Sequence, residues 1–260
     1  MKSAEATTAS AEQTRQELLY QYPYHWIPRR AGARIIYSQS VDWASEYLKS
    51  IEVVAGVVAE LRPVFVADVG CGDGRIVNDV ALRHPHTRWV GIDYSARAIA
   101  LAQALGAAPN ASFLCGSVGP TFRLPETCDL VTLVEVLEHI PPAELAGFVR
   151  HAFALLRPGG TMLVTVPHAN RPVQRKHFQH FTGASLRAVL MEAVATETTE
   201  CSLQFIDEVP GFWRRGITRL ARNRLFTIEP WFQRELQRRA VLAFVPETRC
   251  GRIVARIRRK

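Results

Sequence analysis

Residues 64–74 read VFVADVGCGDG. A run of β-branched and apolar residues is broken only by Asp68, and Gly70, Gly72 and Gly74 then follow at every second position. An apolar run without alternation is the pattern of a strand buried on both faces, as in a parallel sheet. The glycines allow a sharp turn and a close approach of a ligand to the main chain, and a helix beginning near Arg75 would present its free N–H groups there. The stretch therefore predicts a strand, a tight turn and a helix, with a nucleotide-sized socket above the turn.

The neighbouring residues narrow the choice of ligand. A phosphate-gripping P-loop needs Lys and then Ser or Thr after its last glycine, whereas Arg75 and Ile76 follow Gly74. The dinucleotide spacing GxGxxG is replaced by GxGxG with acidic residues at Asp68 and Asp73, which would repel a pyrophosphate and welcome a cationic ligand. Residues 88–93, RWVGID, read as the next strand. They place Asp93 about 20 residues beyond the loop, the offset of a ribose-binding carboxylate in a βαβ unit. This pattern resembles motif I of the class I S-adenosylmethionine (SAM) methyltransferases. The resemblance implies SAM as cofactor, held by Asp68, Gly70, Cys71, Gly72, Asp73, Gly74, Asp93, Tyr94 and Glu135. It also puts the turn at Ser117 and Val118 against the adenine; many relatives carry Asp where this chain has Ser117.

The chain has 260 residues, enough for one sizeable α/β core with extensions. Hydrophobic residues make up 48% and charged residues 22%, the proportions of an ordinary folded protein. Five scattered cysteines form no CxxC pair, the usage of a reduced, cytoplasmic chain. The first residues lack an apolar core and carry Glu5, Glu12 and Glu17, so neither a secretory nor a transit signal fits. The formal net charge of +8 is unevenly spread. Residues 201–260 hold 14 Lys and Arg against 5 Asp and Glu, while the preceding 200 hold 18 against 19, so the excess lies wholly in the last part.

Taken in order, residues 1–19 are small, polar and aperiodic, and are expected to be disordered. Residues 20–62 form an arm and a helix: YQYPYHWIPRR is dense in aromatics, with Tyr24, His25 and Trp26 as candidate walls of a substrate pocket, and residues 42–61 carry apolar positions three or four apart. Residues 63–208 are the cofactor-binding core. Helices are expected at 75–83, at 96–105 capped by Ser95, and from Pro141-Pro142 to Leu156; strands at 111–115, 128–136, 161–166 and about 192–206. Residues 209–246 are an insertion, and 247–260 the final strand, antiparallel to the rest. The fold expected is α/β: a doubly wound, mostly parallel seven-stranded sheet of the Rossmann-like methyltransferase kind, with its crevice at the carboxyl ends of the strands.

Two segments carry candidate chemistry. VEVLEHIPP supplies Glu135, Glu138 and His139 after the fourth strand; VPHANRPVQRKHFQHFT supplies His168, His177 and His180 after the fifth. Adjacent strands bring both loops to one end of the sheet, where carboxylates and imidazoles suit a divalent ion. ExxEH followed by HxxxFT is similar to the small-RNA 3′-terminal 2′-O-methyltransferases, and EVLEH to the ubiquinone-pathway O-methyltransferases. The first resemblance implies Glu135, Glu138, His139 and His177 as ligands of one divalent metal (Mg, Mn, Fe or Zn), with Phe181-Thr182 as the aromatic-Thr pair. Where that family has Asn and an acidic residue, this chain has His168 and His180, candidates for the substrate pocket. Without metal, His139 or His177 would act as general base beside Glu135, since a hydroxyl needs a base or a Lewis acid to become nucleophilic.

The insertion reads FWRRGITRLARNRLF and WFQRELQRRAVLAF, a basic amphipathic pattern in 211–243 that suits an anionic membrane surface or nucleic acid, or a surface helix with solvated arginines. The function expected is SAM-dependent O-methylation of a small or lipid-like hydroxylated metabolite, in the cytoplasm or peripheral to the membrane. RNA 3′-terminal 2′-O-methylation is the alternative, and a non-catalytic SAM-binding protein a third.

Overall fold

The computed structural model describes residues 41–106, 108–194, 196–209 and 242–260, two short strands, and single residues at 11, 12, 14, 213, 216, 217, 220 and 234. Tyr24, His25 and Trp26, and most of the 209–246 insertion, lie outside the described residues.

Strands β1 (Arg29–Ala31) and β2 (Arg34–Ile36) pair antiparallel as a small separate ribbon. Helix α1 (Val41–Leu61) follows, and its apolar spacing buries Ile51, Val54 and Val58. The main sheet then alternates with helices: β3 (Phe65–Val69), α2 (Arg75–Arg83), β4 (Arg88–Asp93), α3 (Ala96–Leu105), β5 (Ala111–Cys115), β6 (Cys128–Val134), α4 (Pro142–Phe153), β7 (Leu156–Pro167), α5 (Gly183–Val194), β8 (Thr198–Glu208) and β9 (Cys250–Arg259). The seven strands lie in the order β5-β4-β3-β6-β7-β9-β8, with β9 antiparallel to both its neighbours. This is the expected doubly wound Rossmann-like sheet. Winding reverses between β3 and β6, and there the carboxyl ends open a crevice.

Period-two alternation assigns the two faces. Phe65, Ala67 and Val69 of β3 pack with Leu145, Val149 and Phe153 of α4 and Leu186 of α5. Val66 points the other way, to Val54 and Val58 of α1 and Val77 and Val80 of α2. Ser95 caps α3 as expected, its Oγ accepting the N–H of Ala98 at 3.2 Å.

Several boundaries differ from the sequence expectations. The fourth helix stops at Phe153 rather than Leu156, and β7 begins at Leu156, so Pro158-Gly159-Gly160 lies inside a strand instead of before it. There the register against β6 shifts between Cys128 and Leu130, and Gly159 adopts φ 76°, so the glycines serve an irregularity within the strand. The strand expected around 192–206 starts at Thr198, because Leu186, Leu190, Ala193 and Val194 are buried on one face of α5 and keep Glu192 helical.

Candidate active site

The glycine turn is built as its spacing suggests. Gly70, Gly72 and Gly74 have φ of 81°, 56° and 74°, a region that residues with a Cβ avoid. A Cβ on Gly70 would also lie 2.5 Å from Cγ2 of Val136. The turn hangs on the end of β4: the N–H groups of Gly70 and Cys71 both donate to the Ile92 carbonyl, at 2.7 and 3.1 Å. The carboxylate of Asp93 accepts the N–H of Gly72 on Oδ2 and that of Ser95 on Oδ1, each at 2.9 Å. Asp68 is buried below the turn, where its Oδ1 accepts the Thr132 hydroxyl at 2.5 Å. Burial outweighs that bond and, with the charge of Asp93, lifts the Asp68 carboxyl to about 6. Burial likewise lifts Asp73 to about 6 and pushes the Cys71 thiol up.

Above the turn lies a crevice of about 630 Å³. One end is walled by Gly70, Asp93, Tyr94, Ser117 and Val118; the other by Glu135, His139, Phe148, His151 and Lys176. The first end has the acidic and backbone groups suited to a ribose and a base, and the second has the titratable groups.

At the second end, Glu138, His139 and His177 offer one ligand atom each, all within 4.8 Å of one another. The two loops are tied by the N–H of Phe178 donating to the Glu138 carbonyl at 2.8 Å. Second contacts set the tautomers. Nδ1 of His139 lies 3.0 Å from the Lys176 carbonyl and must donate, leaving its Nε2 lone pair bare. Nδ1 of His180 donates to the Arg171 carbonyl at 3.0 Å, so its Nε2 accepts Nδ1–H of His177 at 2.9 Å, and the Nε2 lone pair of His177 is bare as well. Burial holds His139 down to about 4; burial, then the charges of His139 and Lys176, hold His177 down to about 2. Glu138 is 1% exposed, and its Oε2 has no hydrogen-bond partner among the described residues. Burial, and then the charge of Glu135, raise its carboxyl well above the usual range. Two neutral imidazoles with free lone pairs beside an unpartnered buried carboxyl group could hold a divalent ion, and the residues fit such an ion.

Glu135 stands apart from that group. Its backbone is left-handed, φ 54°, and its Oε1 accepts the Thr165 hydroxyl at 2.9 Å and lies 3.5 Å from Nε of Arg252. Arg252 is 3% exposed and sits among Asp207 Oδ2 at 3.0 Å, Glu46 Oε2 at 4.0 Å and the Ser50 hydroxyl at 2.6 Å. Lys49 completes the network through its ion pair with Asp207. The surrounding carboxylates hold the guanidinium charged against its burial.

A family model described as a methyltransferase domain matches residues 66–160, which span the glycine turn, Asp93, Glu135 and the ExxEH segment. Residues 66–160 are a class I, SAM-dependent methyltransferase domain. Ubiquinone biosynthesis O-methyltransferase of Marinobacter nauticus is 30% identical over 106 residues, covering 40% of this chain and 44% of that protein. The corresponding protein of Albidiferax ferrireducens is 37% identical over 99 residues, covering 36% and 38%. The chain thus spans less than half the length of these two curated relatives. Among solved structures, magnesium protoporphyrin IX methyltransferase (ChlM) from Synechocystis PCC 6803 with bound SAM superposes with a TM-score of 0.58 at 16% identity, covering 97% of this chain and 99% of that one. The methyltransferase domain of bacterial CtHen1-C gives a TM-score of 0.54 at 15% identity, covering 82% and 97%. These two show a shared fold.

Of the residues singled out in the sequence, Gly70, Asp93, Tyr94, Ser117, Val118, Glu135 and His139 line the crevice wall. Asp68 and Cys71 lie buried beneath it. Three expectations need correction. The structure groups Glu138, His139 and His177 without Glu135, because Thr165 and Arg252 draw that carboxylate away. His168, expected in the substrate pocket, is buried behind β7: its Nδ1 accepts the N–H of Asn170 at 3.0 Å and its Nε2 faces Glu247 Oε1 at 3.3 Å. His180, also expected in the substrate pocket, is not among the residues lining the crevice and instead bonds His177. Arg252, Asp207, Glu46 and Lys176 were absent from the sequence-based set. Arg252 carried one signal, a charge opening the apolar alternation of GRIVARIRR, which is unusual for a strand paired on both sides.

Proposed function

We propose that the chain is a SAM-dependent O-methyltransferase acting on a small or lipid-like hydroxylated metabolite, with one divalent ion held by Glu138, His139 and His177. The observation that carries it is the pair of imidazoles whose Nδ1 atoms are engaged and whose Nε2 lone pairs are free beside Glu138, at the acceptor end of the crevice. A general base works best with a pKa near the working pH. His139 at about 4 and His177 at about 2 are poor bases and ready ligands.

The residues divide the work along the crevice. Asp93 holds the nucleoside, the glycine turn lets it approach the main chain closely, and the acidic surroundings favour the sulfonium over an anionic cofactor. The wall of Ile140, Phe148 and Val136 excludes water from the acceptor and supplies apolar contact. Transfer forms a C–O bond between the acceptor oxygen and the methyl carbon and breaks the S–C bond, whose electron pair stays on sulfur; the hydroxyl proton passes to solvent. A bound divalent ion lowers the pKa of the acceptor hydroxyl. The names of the curated relatives support oxygen as the methylated atom.

Labelled methyl transfer from SAM to a catechol and to a polyprenyl phenol tests this, with and without chelator. Turnover on either, lost on chelation while S-adenosylhomocysteine (SAH) still binds, is the expected result. Full turnover after exhaustive chelation would remove the metal from the proposal.

The convergence of three residues of the ExxEH…H motif also favours a second reading, methylation of an RNA 3′-terminal ribose. That enzyme would bind single-stranded RNA with an affinity falling steeply as salt rises, and would methylate the terminal ribose in the same assay.

A further inference from the structure

We propose that Arg171 is a positioning residue: its carbonyl oxygen sets the tautomer of His177, and Glu46 and Gly251 hold it in place. His177 and His180 form a chain that could run in either of two directions. In the one built here, Nδ1–H of His180 donates to the Arg171 carbonyl at 3.0 Å, and Nδ1–H of His177 donates to Nε2 of His180 at 2.9 Å. Reversed, Nε2–H of His180 would donate to Nδ1 of His177 across the same 2.9 Å, and His177 would carry its proton on Nε2. The reversal sacrifices only the bond to the carbonyl, which accepts and never donates. That one oxygen therefore decides whether His177 turns a bare lone pair or an N–H toward Glu138 and His139, whose ring centroid lies 4.7 Å from its own.

The place of the carbonyl is fixed from two sides. The N–H of Arg171 donates to the His168 carbonyl at 3.0 Å and closes the turn after β7. At the far end of the side chain, Nη1 meets Oε1 of Glu46 at 2.5 Å and ties the turn to α1. Pro172 narrows the backbone choices of Arg171, and the ion pair then fixes where the residue sits. On its way to Glu46 the side chain crosses Gly251 of β9: a Cβ there would lie 2.6 Å from Cζ of Arg171 and nearer still to Nε and Nη2. The bare Cα of Gly251 is thus what lets the guanidinium reach Glu46. A glycine in one strand, a carboxylate on a distant helix and an arginine in the loop together orient a ring that none of their side chains touches.

Long-range 1H–15N correlation of the histidine rings reads each tautomer, in metal-free protein and mildly alkaline buffer where imidazoles are neutral. Wild type, Arg171→Met, Arg171→Lys and Gly251→Ala are compared; His177→Gln and His180→Gln assign the signals, and SAH binding shows that each protein is folded. Gly251→Ala need only push aside the end of a flexible side chain, so it disturbs the clamp while leaving Arg171 in the chain. Expected is His177 protonated on Nδ1 in the wild type. The ratio of its Nδ1–H to its Nε2–H form should fall at least about twofold in Arg171→Met and Gly251→Ala, the low end of what one hydrogen bond contributes. Arg171→Lys should fall between, because lysine keeps the charge without the fork. His177 protonated on Nε2 in the wild type, or an unchanged ratio in either Arg171→Met or Gly251→Ala with SAH still bound, would overturn the proposal. The rings report with no ion present, so either result leaves the metal reading to its own test.

Discussion

Glu135 and Arg252 meet at the carboxyl end of the sheet, Oε1 of the one 3.5 Å from Nε of the other. The contact joins the loop after β6 to the start of the last strand. Asp207, the other carboxylate closest to this guanidinium, shares with Glu135 a left-handed backbone, φ 63° against 54°. Two strained residues thus converge on one buried charge, and strain of this kind persists only where the surroundings over-determine it.

Arg252→Met is expected to cost about 3–5 kcal/mol of folding stability, because it leaves buried carboxylates without their counter-charge. Arg252→Lys should recover part of the loss, since lysine keeps the charge but not the forked geometry. Urea melts measure both. A loss of about 1 kcal/mol or less in Arg252→Met would match a surface ion pair and sink the idea that this network holds Glu135.

Glycine substitutions should separate by conformation. Gly70→Ala combines φ 81° with a clash at 2.5 Å from Val136, and is expected to cost about 1–3 kcal/mol and to weaken SAH binding. Gly147 lies within α4 and an added Cβ would meet nothing within 4 Å, so Gly147→Ala should stabilise by about 0.5–1 kcal/mol. Thermal melts in which both variants moved the same way would contradict this assignment.

The pH dependence has two opposed parts. His177, ordinarily near 6.5, is held at about 2, so the unfolded chain takes up a proton there that the native chain refuses. Stability from its neutral ring is fully present above about 6.5 and is lost as pH falls toward about 2. Asp68 and Asp73, raised from 3.8 to about 6, act in the other direction: their contribution is present below 3.8 and is lost as pH rises through about 6. Comparing the wild type with His177→Gln isolates the first part. The wild type's advantage should shrink steadily as pH is lowered from about 7 to about 4, and a difference flat over that range would contradict the depressed His177.

The sequence showed most clearly what local chemistry dictates. VFVADVGCGDG could hardly be other than a strand and a turn, since three glycines with positive φ need those positions, and Asp93 followed from the length of one βαβ unit. What stayed hidden depends on partners far along the chain. Arg252 and Glu46 are brought together only when β9 inserts between β7 and β8 beside α1. Nothing near Glu135 in sequence reveals that it turns from Glu138 toward that arginine. Pro158-Gly159-Gly160 reads locally as a stop, and becomes part of β7 because β6 and β9 flank it. His168 and His177 look alike in sequence; Glu247 claims the first and leaves the second facing Glu138.

The most direct measurement is calorimetric binding of SAH to the wild-type chain and to Asp93→Ala. Asp93 fastens the glycine turn through Gly72 and faces the crevice where a ribose would lie, so its loss removes a hydroxyl partner and loosens the socket together. A single site of micromolar affinity in the wild type, weakened at least tenfold in Asp93→Ala, is the predicted result. No SAH binding to the wild type, or the same affinity in both proteins, would contradict the placement of SAM in this crevice.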